Sequence, residues 1–207
     1  MDRILLAPEH KDVLGSTGSG KSRVAKMIAR EWPGPGLFID PEEDTADGGW
    51  PGIRLTGQED VYDILDALSH GEKLYWIPNP EPKAVLTVLA ILVKKLLAPR
   101  MKWGNLLLAV DECHLYAPQG KPSPLLRVSL QGRKHQVFGM WISPRPQNLH
   151  RNLITQSQCH VLFRLDWEDA YYRAYGLPAD AIKQGTAEEF SYVVLRRGKV
   201  MGPFREA

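Results

Sequence analysis

The chain has 207 residues, of which 43% are hydrophobic and 24% charged, a balance that excludes a disordered or fibrous protein and provides for a sizeable core. Its 26 basic and 24 acidic residues leave a formal charge of +2, which argues neither for nor against a nucleic-acid partner. Two cysteines, Cys113 and Cys159, cannot build a disulfide framework, the first eight residues read as no secretory signal, and residues 84–93, the most apolar stretch, end at Lys94-Lys95, well short of the roughly 18 residues of a membrane span. These features lead to the expectation of a cytoplasmic protein.

Along the chain, short apolar runs alternate with helical periodicity, which predicts an α/β fold: a mostly parallel sheet with crossover helices. Strands are predicted over residues 12–14, 37–40, 53–55, 73–77, 106–110, 137–142 and 160–165. Helices are predicted over 21–32, 59–69, 82–98, 123–134, 147–157 and 168–175. The helix from Pro82 carries its proline in the first turn and is stopped by Pro99. It is apolar nearly all round, so both faces are expected to be covered, by the sheet and by another element or subunit. Residues 190–195 and 199–204, joined by Arg196-Arg197-Gly198, predict a terminal β-hairpin. With no repeat and no linker, the expectation is a single domain over 1–207, with a core at about 11–165 and an extension at about 166–207.

Charge is segregated. Between Asp40 and Asp66 stand nine acidic residues and one basic residue, Arg54. Between Cys113 and Leu165 there is no acidic residue, but there are Lys121, Arg127, Arg133, Lys134, Arg145, Arg151, Arg164 and four histidines. Two solvated faces would account for this; so would a basic segment facing phosphate, either a neighbour's nucleotide or a nucleic-acid backbone.

The run Gly15-Ser16-Thr17-Gly18-Ser19-Gly20-Lys21-Ser22 fits the phosphate-loop pattern G-x-x-x-x-G-K-[ST], with a short strand before it and a helical pattern after it. Glycines let successive N–H groups converge on a phosphate, and the helix N-terminus adds its dipole. Lys21 would reach the β- and γ-phosphates and the Ser22 hydroxyl would bind Mg²⁺. Residues 106–110 read as a buried strand ending in Asp111-Glu112. Beside a phosphate loop, Asp111 would orient the shell of Mg²⁺ opposite Ser22, and Glu112 would polarise the attacking water. A glutamate at that place favours hydrolysis of ATP over transfer to a small acceptor. Alone, the same residues could be a Gly-Ser turn and a strand reaching the surface.

The pairs Cys113-His114 and Cys159-His160 match no zinc spacing and read as core packing. A nucleophilic Cys113 is disfavoured, because the adjacent carboxylates would raise its thiol pKa. Trp141 reads as packing and Trp50, in a Gly-rich loop, as a packing residue or a partner contact.

Gly132-Arg133 precedes the strand over 137–142, which ends in Ser143-Pro144-Arg145-Pro146. With the phosphate loop and Asp111-Glu112, this block resembles the FtsK/HerA superfamily of P-loop ATPases, and within it the genome-packaging ATPases of tailless, membrane-containing icosahedral viruses. The resemblance runs from about residue 11 to the terminal hairpin and implies a RecA-like core. It implies Mg²⁺-dependent ATP hydrolysis coupled to translocation of double-stranded DNA, as in packaging into a capsid. It implies Arg133 as a finger inserted into a neighbour's site, and hence a homo-oligomeric ring, a hexamer or pentamer. A capsid or membrane portal protein follows as a further partner and a virion vertex as a place of action. The family's γ-phosphate-sensing glutamine falls on Pro144, so that role would pass to Ser143, Arg145 or Gln147; without the resemblance, Arg133 and Arg145 are ordinary surface arginines. The rival readings are an assembly or secretion ATPase of a phage or mobile element, a HerA-like cellular translocase, a kinase or GTPase (no Asn-Lys-x-Asp motif is present), and a nucleotide-dependent binding module.

Overall fold

The computed structural model describes residues 3–42, 52–55, 60–78 and 81–205; Trp50 and most of the acidic stretch after Glu42 lie outside them. The elements are β1 (Lys11–Leu14), α1 (Lys21–Glu31), β2 (Gly36–Ile39), β3 (Ile53–Leu55), α2 (Val61–Ser69), β4 (Lys73–Trp76), α3 (Pro82–Leu96), β5 (Leu106–Val110), α4 (Leu125–Gln131), β6 (Val137–Ser143), α5 (Arg151–Thr155), β7 (Cys159–Phe163), α6 (Asp169–Ala174), α7 (Ala179–Gly185), β8 (Ser191–Arg196) and β9 (Lys199–Arg205). The strands form one sheet in the order β3-β4-β2-β5-β6-β1-β7-β8-β9. The first seven are parallel, and β8 and β9 add an antiparallel hairpin to the β7 edge. The fold is therefore α/β, with helices on both faces and the expected C-terminal hairpin.

Parallel strands covered on both faces cannot alternate polar with apolar, and the inner strands show it: β5 is Leu-Leu-Leu-Ala-Val and β6 Val-Phe-Gly-Met-Trp-Ile-Ser, every residue buried. Two separate cores result. On one face α1 lays Val24, Ala25, Ile28 and Ala29 against Val13, Phe38, Ala109 and Met140. On the other, α2 to α7 cover Leu37, Ile39, Leu108, Val110 and the fully buried Trp141. The order places β6 between β1 and β5, pairing Leu14 with Ser143 and Val110 with Trp141, so the chain ends of these three strands open on the same edge.

Three expectations need correction. The helix predicted over 123–134 is α4 only to Gln131; it tightens into a 3₁₀ turn over Gly132–His135, because residue 132 packs so closely under Val137 O that only glycine fits. The helix predicted over 147–157 is a 3₁₀ turn at Pro146–Asn148 and then α5, restarted where the His150 ring accepts a hydrogen bond from Asn152 N. Helix α7 was not predicted; a seven-residue helix bounded by Pro178 and Thr186 leaves too short a pattern. Helix α3 buries Val85, Leu89, Leu92, Val93 and Leu96 within the chain and leaves Ile91 exposed, so cover on that side would come from another subunit and not from another element among the described residues.

Candidate active site

The loop between β1 and α1 is shaped by its glycines. Gly18 and Gly20 adopt positive φ (77° and 95°), and a Cβ on Gly15 would stand 2.5 Å from Phe163 Cβ. Ser16 N donates to Arg164 O at 2.9 Å and Ser19 N to Ser16 O at 3.2 Å, which curls the loop over the ends of β1 and β7. Helix α1 starts at Lys21 with Gly20 as its cap, no side chain bonded to its first N–H groups and no acidic residue in its first turn. Such an end is open to an anion. By contrast α2 is capped by Asp60, whose carboxylate accepts from Tyr62 N at 2.9 Å.

Two strands away, β5 delivers Asp111 and Glu112. Asp111 is buried, accepts from Glu112 N at 2.8 Å and is hydrogen-bonded by the Ser22 side chain. Burial pushes its carboxyl above the ordinary range, and Asp40 pushes the same way, against those two hydrogen bonds and the Lys21 charge. The Ser22 hydroxyl and the Asp111 carboxylate are hard oxygen donors brought together at the loop, the donor set Mg²⁺ takes. Glu112 sits at φ 46°, ψ 39°, a left-handed conformation uncommon outside glycine. That turn swings its side chain away from Asp111 into the cleft. Burial first, then the Asp111 charge, raise its carboxyl to about 7, against Lys21 and Arg145.

One cleft of about 1560 Å³ takes in Thr17, Gly18, Gly20, Lys21, Ser22, Glu112, Pro144 and Arg145, so the loop, the glutamate and the end of β6 face one space. Of the residues considered for the missing sensor glutamine, Arg145 lines this cleft, while Ser143 is buried and its hydroxyl accepts from Arg145 N at 3.2 Å. Gln147 is turned away, its Oε1 accepting from Trp167 Nε1 at 3.0 Å. Arg133 does not line the cleft: it precedes β6, whose length of about 20 Å at 3.3 Å per residue lies between it and the phosphate-loop end, where Pro144 and Arg145 stand. The acid-free segment is thus not one face, since Arg145 and Arg133 sit at opposite ends of a strand.

The sequence reading of His114 is corrected. Cys113 is buried core, and burial, then Asp111 and Glu112, hold its thiol well above the usual range. His114 instead lines the cleft, its Nδ1 3.3 Å from Glu112 Oε2 and 3.4 Å from Ser143 Oγ. Burial and the charges of Arg145 and Lys21 lower its pKa, which favours a neutral imidazole. Glu42 also lines the cleft. Both were missed: the rotation of the 3₁₀ turn at Cys113–Leu115 decides which of two neighbours faces inward, and the turn after β2, where Glu42 N donates to Asp40 Oδ1 at 3.1 Å, places Glu42. At the other pair Cys159 is buried, and His160 Nδ1 bonds Asp12 Oδ2 at 2.8 Å.

Neither a protein-family model nor a curated sequence matches the chain. Solved structures do. The genome packaging NTPase B204 of Sulfolobus turreted icosahedral virus 2, in complex with AMPPCP, superposes with a TM-score of 0.65 at 13% identity, over 96% of this chain and all of that one. B204 of Sulfolobus turreted icosahedral virus, described as a DNA-packaging ATPase, gives 0.64 at 13%, over 97% and 100%. Thermomonospora curvata EccC (ATPases 2 and 3), with a signal sequence peptide, gives 0.55 at 13%, over 96% of this chain and 37% of that one. At such identities the likeness shows the fold: this chain has the fold of the P-loop NTPases.

Proposed function

We propose that the chain binds ATP with Mg²⁺, hydrolyses it, and uses the cycle to drive double-stranded DNA through a ring of its own copies, as in packaging a viral genome. The observation that carries the hydrolytic part is the convergence of Lys21, Ser22 and Glu112 on one cleft, with the buried Asp111 hydrogen-bonded to Ser22 behind it. The uncapped N-terminus of α1 and the loop N–H groups hold the phosphates, and Lys21 supplies charge to the β- and γ-positions. Ser22 and Asp111 would hold Mg²⁺, which when bound offsets charge on the phosphate oxygens. Glu112, projecting past β5, orients a water toward the terminal phosphate and accepts its proton; His114, itself against Ser143 Oγ, fixes the carboxylate's position. Arg133 is assigned to a neighbouring subunit's cleft.

The DNA part draws support from the packaging role of the two B204 proteins and from a match over nearly the whole of both chains. Phosphate release from ATP should need Mg²⁺ and should rise on adding linear double-stranded DNA. Turnover that DNA leaves unchanged would remove DNA as the moved polymer, leaving the assembly or secretion reading.

A further inference from the structure

The cleft is longer than the phosphate loop requires. It follows α1 for about 9 Å from Lys21 to Met27, at 1.5 Å per residue, and its far wall is the β8–β9 hairpin. Arg23, Met27 and Arg30 are spaced four and three apart, so they share the helix stripe bordering the cleft. On the hairpin, Tyr192 and Val194 are two apart and share one face of β8. Met201 and Phe204 are three apart and on a regular strand would face opposite sides. An extra residue in β9 resolves this: Tyr192 pairs with Phe204 and Val194 with Met201, so two steps on β8 match three on β9. Gly202 lies in the bulge at φ 115°, where a Cβ would stand 3.0 Å from Phe204 N and 3.1 Å from Tyr192 O. The bulge therefore brings Tyr192, Val194, Met201 and Phe204 to one surface of the cleft, with the Phe204 ring 5.5 Å from that of Tyr192.

The cleft is thus cationic and rich in N–H donors at one end, aromatic and sulfur-lined at the other. We infer that the hairpin surface, with Met27 opposite, seats the base of the nucleotide whose phosphates the loop holds. This rests on the nucleotide-binding reading above and adds where the base goes and how it is recognised. The seat offers flat aromatic and polarisable thioether surface, which suits the face of a purine. Apart from the Tyr192 hydroxyl and the weakly accepting sulfurs of Met27 and Met201, the side chains bordering this arm among the described residues present no acceptor for an exocyclic amine, and Arg30 and Arg205 only donate. Stacking without edge-on hydrogen bonding separates purines from pyrimidines by area and scarcely separates adenine from guanine.

The test is isothermal titration of Mg-ATP, Mg-GTP, Mg-CTP and inorganic tripolyphosphate into wild type, Phe204→Ala and Phe204→Leu. Phe204 is half-buried, and a thermal melt checks that each variant folds. Wild type should bind ATP and GTP within about threefold of each other and CTP more weakly, since base stacking on an aromatic side chain scales with the shared surface. Phe204→Ala should lose on the order of tenfold for ATP and GTP while keeping its affinity for tripolyphosphate, with Phe204→Leu between. An undiminished affinity for ATP, or an equal loss for tripolyphosphate, overturns the base seat. Wild type that binds tripolyphosphate as tightly as ATP overturns the seat alone; wild type that binds neither overturns the nucleotide reading, and the seat with it. Should Phe204→Ala fail to fold, Phe204→Leu and the wild-type comparison of ATP with tripolyphosphate decide between these outcomes.

Discussion

Asp111 and Glu112 are chain neighbours with the same chemistry and different surroundings. Asp111 ends a buried strand, ties back to Glu112 N and faces Ser22; Glu112 takes the positive φ that turns it into the cleft. On this account Asp111→Asn, if folded, should need on the order of tenfold more Mg²⁺ for half-maximal turnover, because it loses a charged partner of the ion's shell. An unchanged Mg²⁺ titration would remove Asp111 from that shell. A second residue sets a pH limit on stability. His10 is fully buried, and its Nδ1 accepts from Gly139 N at 2.8 Å, which requires a neutral ring at that atom. Burial first, then the Arg133 and Lys11 charges, lower its pKa from 6.5 to about 4. A depressed folded-state pKa gives stability that is present above 6.5 and is lost as pH falls toward 4, a loss on the order of 3 kcal/mol. Urea melts between pH 7 and pH 4 should show this loss in wild type and a shallower one in His10→Gln. Equal slopes would mean that His10 is not the titrating group. What was legible at this scale were the side chains whose spacing is itself the chemistry: the loop from Gly15 to Ser22 and the Asp-Glu pair. His114, Glu42 and the hairpin aromatics were not, because the 3₁₀ turn at Cys113–Leu115, the turn after β2 and the bulge in β9 decide which way they face.

Helix α1 forms one wall of the cleft, so what fixes α1 fixes the site. Its Lys26 reaches Asp40 at the end of β2 at 3.1 Å, and Asp40 also accepts from the Tyr75 hydroxyl of β4 at 2.6 Å. All three are buried. Asp40→Ala would leave the Lys26 ammonium buried without this partner, and breaking such a pair costs about 3–5 kcal/mol. Denaturant melts should show that loss, and Asp40→Leu combined with Lys26→Met should recover much of it; a loss below about 1 kcal/mol would mean that water or another group takes over the ammonium. The inner strands and α1 were readable from sequence because burial on both sides, or a stripe at helical spacing, leaves a pattern in the residues themselves. Helix α7 and the divided segments around α4 and α5 were not, since Gly132 packing and the His150 cap are tertiary facts that override a local pattern.

At the scale of the whole molecule, each chain holds its loop and Glu112 at one end of β6 and Arg133 at the other. An arginine that serves catalysis from there must serve another subunit, which is the geometric content of the proposed ring. Arg133→Ala should bind ATP normally and lose about 10³-fold in turnover, because a finger meets charge that develops in the transition state. Mixing it with Lys21→Ala subunits should restore some activity, since some interfaces then join an intact loop to an intact arginine. A mixture that stays inactive although both variants join one ring would exclude Arg133 as the finger and leave Arg127, Arg145 and Arg151 to be tried.

The central claim is that this cleft hydrolyses a nucleotide through Glu112, and the most direct measurement is ATP binding and phosphate release by wild type and Glu112→Gln side by side. Wild type should bind and release phosphate. Glu112→Gln should bind ATP about as tightly and release phosphate at least roughly a hundredfold more slowly, because the amide keeps the shape but cannot accept the water's proton. Wild-type turnover in Glu112→Gln would contradict the account.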